Sequence, residues 1–336
     1  MADTLMTKED VEALIAKAFE ACGVSQTNAR STARALVAAE VDGQKGHGFS
    51  RVASYAAQAR SGKVKGSAVP KVVNRRSAMV EIDADHGFAY PALDLAIEEL
   101  CVLAPQAGIA AAMVSRSHHC GQLALHVERL AERGLASLMV ANTPKAMAPW
   151  GGTAAIFGTN PIAFAAPRVN EPPLVIDLSL SKVARGKVMA AARAGDAIPE
   201  GWALDAEGQK TTDPDAALQG TMIPMGDAKG AALALLVEVL AATLTGANAS
   251  KDASSFFEAE GTPPGVGQLL IAFDLGGQGF GSGFAARLED LLTSITAQGA
   301  RLPGTRRLAA RQAVSAQGLA VPVQALRDIE DLTSAV

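Results

Sequence analysis

Between Val41 and Arg51 a histidine lies between two glycines, Gly46-His47-Gly48, and an arginine follows four residues after the histidine. An imidazole titrates near neutral pH and can give a proton to, or take one from, an oxygen or nitrogen at a reacting carbon. Glycines on both sides let substrate and backbone come close. With residues 49 to 60 helical, Arg51 sits about one turn beyond His47 and faces the same cleft. Its guanidinium would grip a carboxylate through two parallel hydrogen bonds. A helix-entry turn with a surface histidine and arginine needs the same residue types, so spacing alone leaves the two readings level.

Other stretches carry weaker signals. Ser115 to Gln122 lies between an apolar run and an amphipathic one, and backbone N–H groups at such a helix start can hold a phosphate; a polar strand-to-helix turn is the blander and favoured reading. His118 and His119 are adjacent, so their side chains diverge, and no third ligand has recognisable spacing; no metal is expected. Cys120 reads as a buried small hydrophobe. Phe157-Gly158-Thr159-Asn160-Pro161 puts a hydroxyl and an amide in a tight turn, and Asp177-Leu178-Ser179 ends a strand with polar groups, as at a ligand crevice; capping and turn chemistry would also account for both. Gly281-Ser282-Gly283-Phe284-Ala285-Ala286 imitates a dinucleotide fingerprint, but the preceding turn is too long and no acid-terminated strand follows. Gly226-Asp227-Ala228-Lys229-Gly230 has the lysine of a phosphate loop with the wrong glycine spacing.

The elements that must position these groups follow from periodicity. Thr7, three residues before Asp10, caps a helix carrying Val11, Leu14, Ile15 and Phe19, and a second helix runs from about Ser25 to the histidine stretch. Residues 78–83 read as a strand and 90–104 as a helix. Strand and helix then alternate: 109–114 strand, 121–133 helix, 135–140 strand, 162–166 and 174–178 strands, 181–193 helix. Residues 198–214 are rich in turn formers and read as a surface excursion. Residues 230–244 form a small-residue helix expected to be buried on most faces, followed by a strand at 269–273 and helices at 283–296 and 323–332. The expected class is α/β (α+β): a helical N-terminal, catalytic part over residues 1–110, completed by 285–336, and a cofactor-binding α/β part over 111–284.

Composition narrows the function classes. The chain has 336 residues, 49% hydrophobic and 19% charged with a net charge of -4, which is an ordinary globular balance and not a nucleic-acid surface. Aromatics at 4% remove a base-stacking platform. The three cysteines, Cys22, Cys101 and Cys120, have no zinc spacing and suit a reducing compartment. The longest apolar run, Ala231 to Leu244, contains Glu238 and is too short to span a bilayer. A cytoplasmic protein with no membrane partner is expected.

Seven stretches taken in order resemble one family: Gly46-His47-Gly48 with Arg51, Ser117 to Gly121, Ala148 to Gly152, Phe157 to Pro161, Ala184-Arg185-Gly186-Lys187, Ile198 to Trp202, and Gly226 to Gly230. These are similar to motifs of the malate/L-lactate dehydrogenase-like oxidoreductases, which include sulfolactate and ureidoglycolate dehydrogenases and the Δ1-piperideine-2-carboxylate/Δ1-pyrroline-2-carboxylate reductases. The resemblance implies a homodimer with a non-Rossmann fold and a predominantly antiparallel sheet. It implies hydride transfer with NADPH or NADH at C2 of a small carboxylate, either a cyclic imino acid or a 2-oxo acid. A malate- or lactate-type 2-hydroxy acid dehydrogenase and a catalytically weakened nucleotide sensor are the alternatives. By the same resemblance His47 is the general acid, and Arg51, Thr159 and Arg185 contact substrate. His119, Cys120, Gly121, Gln122 and Leu123, Asp177, Leu178 and Ser179, Lys229, and Arg301 and Arg306 of a loop over 301–307 contact the cofactor. The chain departs from the family at Gly46, where a serine usually precedes the histidine and orients it, so the relay is incomplete or rebuilt from Lys45, Ser50 or water.

Overall fold

The computed structural model describes residues 3–276 and 281–334. In chain order the elements are β1 (Thr4–Met6), α1 (Lys8–Ala21), α2 (Gln26–Val41), α3 (Val52–Ser61), β2 (Lys71–Arg76), β3 (Met79–Asp83), α4 (Ala89–Ala107), β4 (Ile109–Ser117), α5 (Ala124–Ala131), β5 (Leu135–Ala141), β6 (Ile162–Ala166) and β7 (Leu174–Leu178). There follow α6 (Arg185–Ala194), β8 (Ala203–Leu204), β9 (Lys210–Thr211), α7 (Pro214–Gln219), β10 (Thr221–Met222), α8 (Ala228–Glu238), β11 (Val266–Asp274), α9 (Phe284–Thr296), α10 (Thr305–Gln317), β12 (Leu319–Val321) and α11 (Val323–Ser334).

The main sheet has seven strands in the order β2-β3-β4-β11-β5-β6-β7. Only β3 and β4 pair in parallel; every other neighbour is antiparallel, as expected. Its centre is β11, which pairs Leu270 with both Ala112 and Met139. A central strand covered on both faces needs an unbroken apolar run, and Leu269, Leu270 and Ala272 are all buried. One face packs on α4 and α5 through Leu93, Ile97, Leu100, Val127 and Leu130.

A second core is helical. Val11, Ile15 and Phe19 of α1 meet Ala33, Leu36 and Val37 of α2, Tyr55 of α3, and Leu319, Val321 and Ile329 from the C-terminal end. The Thr7 hydroxyl accepts the Asp10 N–H at 3.1 Å, the cap expected at the start of α1. The antiparallel pair β1 and β12 ties the two ends of the chain together, Leu5 opposite Ala320.

Several expected elements are corrected. Strand β2 is exposed on most of its length, so it lacks the apolar alternation that would mark it. Residues 198–214 are not a simple excursion: they fold, with β10, into a three-stranded sheet that buries Ile198 and Ala203. The helix expected from 121 starts at Ala124 and the one expected from 181 starts at Arg185. Residues 305 onward are helix, not loop. The helix of residues 230–244 continues past α8 as a π turn over Val239–Thr243, and it is not buried on most faces, since Leu233, Leu235, Leu236, Val239 and Leu244 are exposed. Its small residues Ala231, Ala234, Ala241 and Ala242 pack inward while the large ones face out.

Candidate active site

His47 ends a 3-10 turn over Lys45–His47 that leaves α2, and a second such turn over Phe49–Arg51 feeds α3. Glu40 of α2 anchors the corner by accepting the Phe49 N–H at 2.6 Å. A Cβ at position 48 would collide with the Glu40 carboxylate, so any larger residue there would displace the side chain that anchors the corner. Arg51 is buried, and its Nε donates to the Gly46 carbonyl at 2.7 Å, so the arginine also braces the turn that carries the histidine. Its guanidinium lies 4.6 Å from the centre of the Phe257 ring. The Nη1 atom is buried with no partner among the described residues, which leaves a donor for a ligand.

These groups face a cavity of ≈ 510 Å³ between the helical part and the main sheet. His47, Arg51, Thr159, Arg185, His119 to Leu123, Asp177 and Ser179 all line it. Leu178, Lys229, Arg301 and Arg306 do not: Leu178 points out of the edge strand β7, Lys229 is exposed at the start of α8, Arg301 is exposed before α10, and Arg306 is exposed on it. The neighbouring Arg307 is buried instead and binds Glu128.

Sequence reasoning missed two lining segments, Thr143 to Ala146 and Ala253 to Glu258. The second is held from the helix that carries Arg51. Gln58 donates to the Phe256 carbonyl at 2.7 Å, and the Lys63 ammonium donates to the Ser255 and Glu258 carbonyls at 2.8 and 2.9 Å. The adjacent pair Phe256-Phe257, in a chain so poor in aromatics, was the available signal.

The electrostatics of His47 follow from its neighbours. Desolvation, with the Arg51 charge second, lowers its pKa to about 4, so the imidazole is neutral near pH 7. Its side chain keeps some surface on the cavity while protein encloses the rest. Nδ1 is buried and has no partner among the described residues. Ser50 is not that partner; its hydroxyl donates to the Lys45 carbonyl at 2.8 Å. The ring nitrogen open to the cavity is therefore Nε2. His119 stacks beside it, ring centres 5.2 Å apart. Burial pushes the Cys120 thiol up to about 12, which fits a packing role and not a nucleophile.

The Asp177 carboxylate accepts the Ala124 N–H at 2.8 Å, tying β7 to the start of α5. Thr159 is placed by its own N–H, which donates to the Thr143 hydroxyl at 2.9 Å. Gly121 has φ +69°, and a Cβ there would lie 2.8 Å from the Tyr90 hydroxyl, so this turn requires glycine.

The sequence profile described as malate/L-lactate dehydrogenase matches residues 6–330. The chain belongs to this family. It is 52% identical over 309 residues to the (2R)-3-sulfolactate dehydrogenase (NADP(+)) of Chromohalobacter salexigens, covering 92% of each chain. It is 40% identical over 329 residues to a Δ1-pyrroline-2-carboxylate/Δ1-piperideine-2-carboxylate reductase of Pseudomonas putida, covering 96% of this chain and 95% of the relative. Among solved structures, the Δ1-piperideine-2-carboxylate reductase of Pseudomonas syringae pvar. tomato superposes with a TM-score of 0.93 at 38% identity, covering 98% of this chain and 99% of the other.

The chain is accordingly an oxidoreductase of the malate/L-lactate dehydrogenase family. The site's donor set fits an anionic dinucleotide. Arg185 has no carboxylate partner among the described residues, and its one hydrogen bond is a 3.4 Å contact to the Leu218 carbonyl. The buried Gln122 Oε1, in the turn before α5, is an acceptor without a partner among the described residues, open to a ligand N–H. Among the described residues no helix is long and apolar enough to cross a membrane.

Proposed function

We propose that the chain interconverts a 2-hydroxy acid bearing a second anionic group, such as 3-sulfolactate, with its 2-oxo acid, using NADP(H). The observation that carries this reading is the spread of positive charge in the cavity. Arg51 lies on one side with a free donor, and Arg185 and Lys145 line the cavity without any carboxylate partner among the described residues. A buried guanidinium without a counter-charge is costly and calls for an anion from the ligand. The 52% identity to an NADP-dependent sulfolactate dehydrogenase supports the same substrate class.

In this reading Arg51 holds the C1 carboxylate and so fixes C2 against the nicotinamide, which when bound supplies or accepts the hydride. His47 Nε2 takes the hydroxyl proton during oxidation and returns it to the oxygen during reduction. Its low pKa makes it a ready base in the free chain. A substrate carboxylate against Arg51 offsets the arginine's share of that lowering, which moves the bound state toward the acid that reduction needs. Thr159 and Arg185 face the substrate, and the turn from His119 to Leu123 with Asp177 and Ser179 faces the cofactor.

A second reading, reduction of a cyclic imino acid, is favoured by the reductases at 36–40% identity. Oxidation of NADPH and NADH with sulfopyruvate, oxaloacetate, pyruvate, Δ1-pyrroline-2-carboxylate and Δ1-piperideine-2-carboxylate separates the two. Sulfopyruvate with NADPH should give the highest kcat/KM. A preference for either cyclic imine overturns the first reading, and no turnover with any of them points to the sensor.

The exposed Leu233, Leu236 and Val239 support a homodimer, for which so wide an apolar stripe is the expected interface. Sedimentation of the chain and of Leu236→Asp tests it: dimer for the first, monomer for the second. A monomeric wild type refutes it. Three cysteines with no disulfide support the reducing cytoplasm as its location.

A further inference from the structure

Tyr55 and Tyr90 are the only tyrosines in the sequence, and both are buried. Their hydroxyls lie 3.3 Å apart, and the Tyr55 hydroxyl also lies 2.5 Å from His119 Nδ1. Among the described residues neither hydroxyl has another partner, and neither does the His119 ring. A phenol has one proton to donate, so the chain of three groups can be wired in two continuous directions; a third arrangement, with both neighbours donating to Tyr55, leaves the Tyr55 proton buried without an acceptor. In one, His119 Nδ1–H donates to Tyr55, Tyr55 donates to Tyr90, and the Tyr90 proton is left buried without an acceptor. In the other, Tyr90 donates to Tyr55 and Tyr55 donates to the Nδ1 lone pair, so that every donor is used. A buried unsatisfied donor costs more than a typical hydrogen bond contributes, so the second direction prevails.

That direction fixes the tautomer of His119. Desolvation, with Arg51 next, keeps its pKa well below the ordinary imidazole range, so the ring is neutral. With Nδ1 accepting from Tyr55, the ring proton sits on Nε2. Nε2 has no protein partner among the described residues yet is not an enclosed atom, so it opens on the cavity that His119 lines. Tyr90 is itself pinned, since its hydroxyl fills the space a Cβ of Gly121 would occupy.

We propose that Tyr55, backed by Tyr90, is a positioning residue that locks His119 as the Nε2–H tautomer and makes it a fixed hydrogen-bond donor to a carbonyl oxygen of the bound ligand. This rests on the cavity being the active site. It separates the work of two stacked imidazoles. His47 exchanges a proton, whereas His119 donates a hydrogen bond and keeps its proton, because its other nitrogen is already occupied. The carbonyl could be that of the 2-oxo acid or the carboxamide of the nicotinamide.

Nitrogen NMR of the full-length, ligand-free chain with labelled histidine tests the lock without any turnover, so its failure is distinct from failure of the site assignment. The His119 signal is identified by its loss in His119→Asn. The expected pattern is a protonated Nε2 and an Nδ1 shifted as a hydrogen-bond acceptor; in Tyr55→Phe that Nδ1 shift changes and the ring relaxes toward the tautomer mixture of free imidazole. A protonated Nδ1 in the unmodified chain, or an unchanged Nδ1 shift in Tyr55→Phe, overturns the proposal. Ligand arms follow on the same variant. A 2- to 10-fold weaker binary Kd for NADPH, the usual range for one orienting hydrogen bond, assigns the donor to the carboxamide. An unchanged Kd with a kcat/KM lowered by about that factor assigns it to the substrate carbonyl. No change in either overturns the donor role.

Discussion

Gly46→Ser is expected to raise the rate of reduction, and the size of the gain can be worked from the turn. His47 Nδ1 is buried without a partner among the described residues. Position 46 has room for a side chain, because a Cβ there meets nothing within 4 Å, and its φ is not in the left-handed region. A serine hydroxyl beside the ring would accept the Nδ1–H that both the base form and the imidazolium carry when Nε2 faces the substrate. Acceptance favours the charged form, so the pKa of His47 rises from about 4. Such a bond is worth roughly 1.5–3 kcal/mol to the imidazolium and roughly 0.5–1.5 kcal/mol to the neutral ring, and the difference, on the order of 0.5–1.5 kcal/mol, corresponds to about 0.4–1 pH unit and a 2- to 10-fold change.

The sign follows from which form works. Reduction needs imidazolium, so its kcat/KM falls as pH rises through the pKa of the free chain, and at neutral pH only a small fraction is active. Raising that pKa moves the falling limb toward alkaline pH and lifts kcat/KM by the same 2- to 10-fold. Oxidation needs the neutral base and changes little near pH 7. The assay is NADPH absorbance against pH, in both directions, with the unfolding midpoint as a control. A limb that stays in place, or a loss of reduction in a variant that unfolds at the normal midpoint, refutes the reasoning.

Other perturbations follow from the same geometry. His47→Ala should lower kcat by roughly 10²–10⁴-fold with cofactor affinity near normal; near-normal turnover by stopped-flow would place the proton donor elsewhere. Arg51→Lys should raise KM for every accepted acid, since the fork on the carboxylate is lost, and should also lower kcat because the Gly46 carbonyl loses its donor; steady-state kinetics showing an unchanged KM would remove Arg51 from the site. Asp42→Ala strips one of the two carboxylates that hold Arg311, and the acceptor of Gln122, and should cost about 1–3 kcal/mol in urea unfolding, the usual effect of leaving buried polar groups unsatisfied while Glu128 still pairs the arginine; a change under about 0.5 kcal/mol would show the contact to be dispensable.

Much of the site was legible because its chemistry is local. His47 and Arg51 are four residues apart, and Thr159, Asp177 and the His119 turn stand at strand ends, where short motifs carry them. What could not be read was long-range. Phe257 enters the cavity because Gln58 and Lys63 seize backbone carbonyls nearly two hundred residues away, and a carbonyl has no sequence identity. Arg306 and Arg307 are indistinguishable in a string, yet one lies in water and the other against Glu128, since helix phase decides it and α10 was read as a loop. The stripe of α8 was misjudged for a related reason. Small and large apolar residues in one run mark a helix with two apolar faces, but not which of the two faces the chain itself covers.

The buried charges at the end of α2 show how the two cores are made to act as one site. Asp42 follows α2 directly and lies five residues before His47, and Glu128 sits on α5, just after the turn that carries Gln122. Arg311 bridges them, with 2.5 Å to Asp42 and 2.6 Å to Glu128, and Arg307 adds 2.5 Å to Glu128. Gln122 completes the cluster by donating to Asp42 at 2.8 Å. Replacing such a cluster by apolar residues of equal volume would cost little stability or even gain some, so stability alone does not account for it. Directionality does: paired forks on two carboxylates permit one relative placement of three helices, where an apolar contact would let them slide. The turn that carries His47 on one side of the cavity and the turn from His119 to Leu123 on the other are thus held in register by a helix, α10, that does not line the cavity. Hydride transfer tolerates little misplacement between C2 and the nicotinamide, and this is the part of the chain through which that tolerance is set.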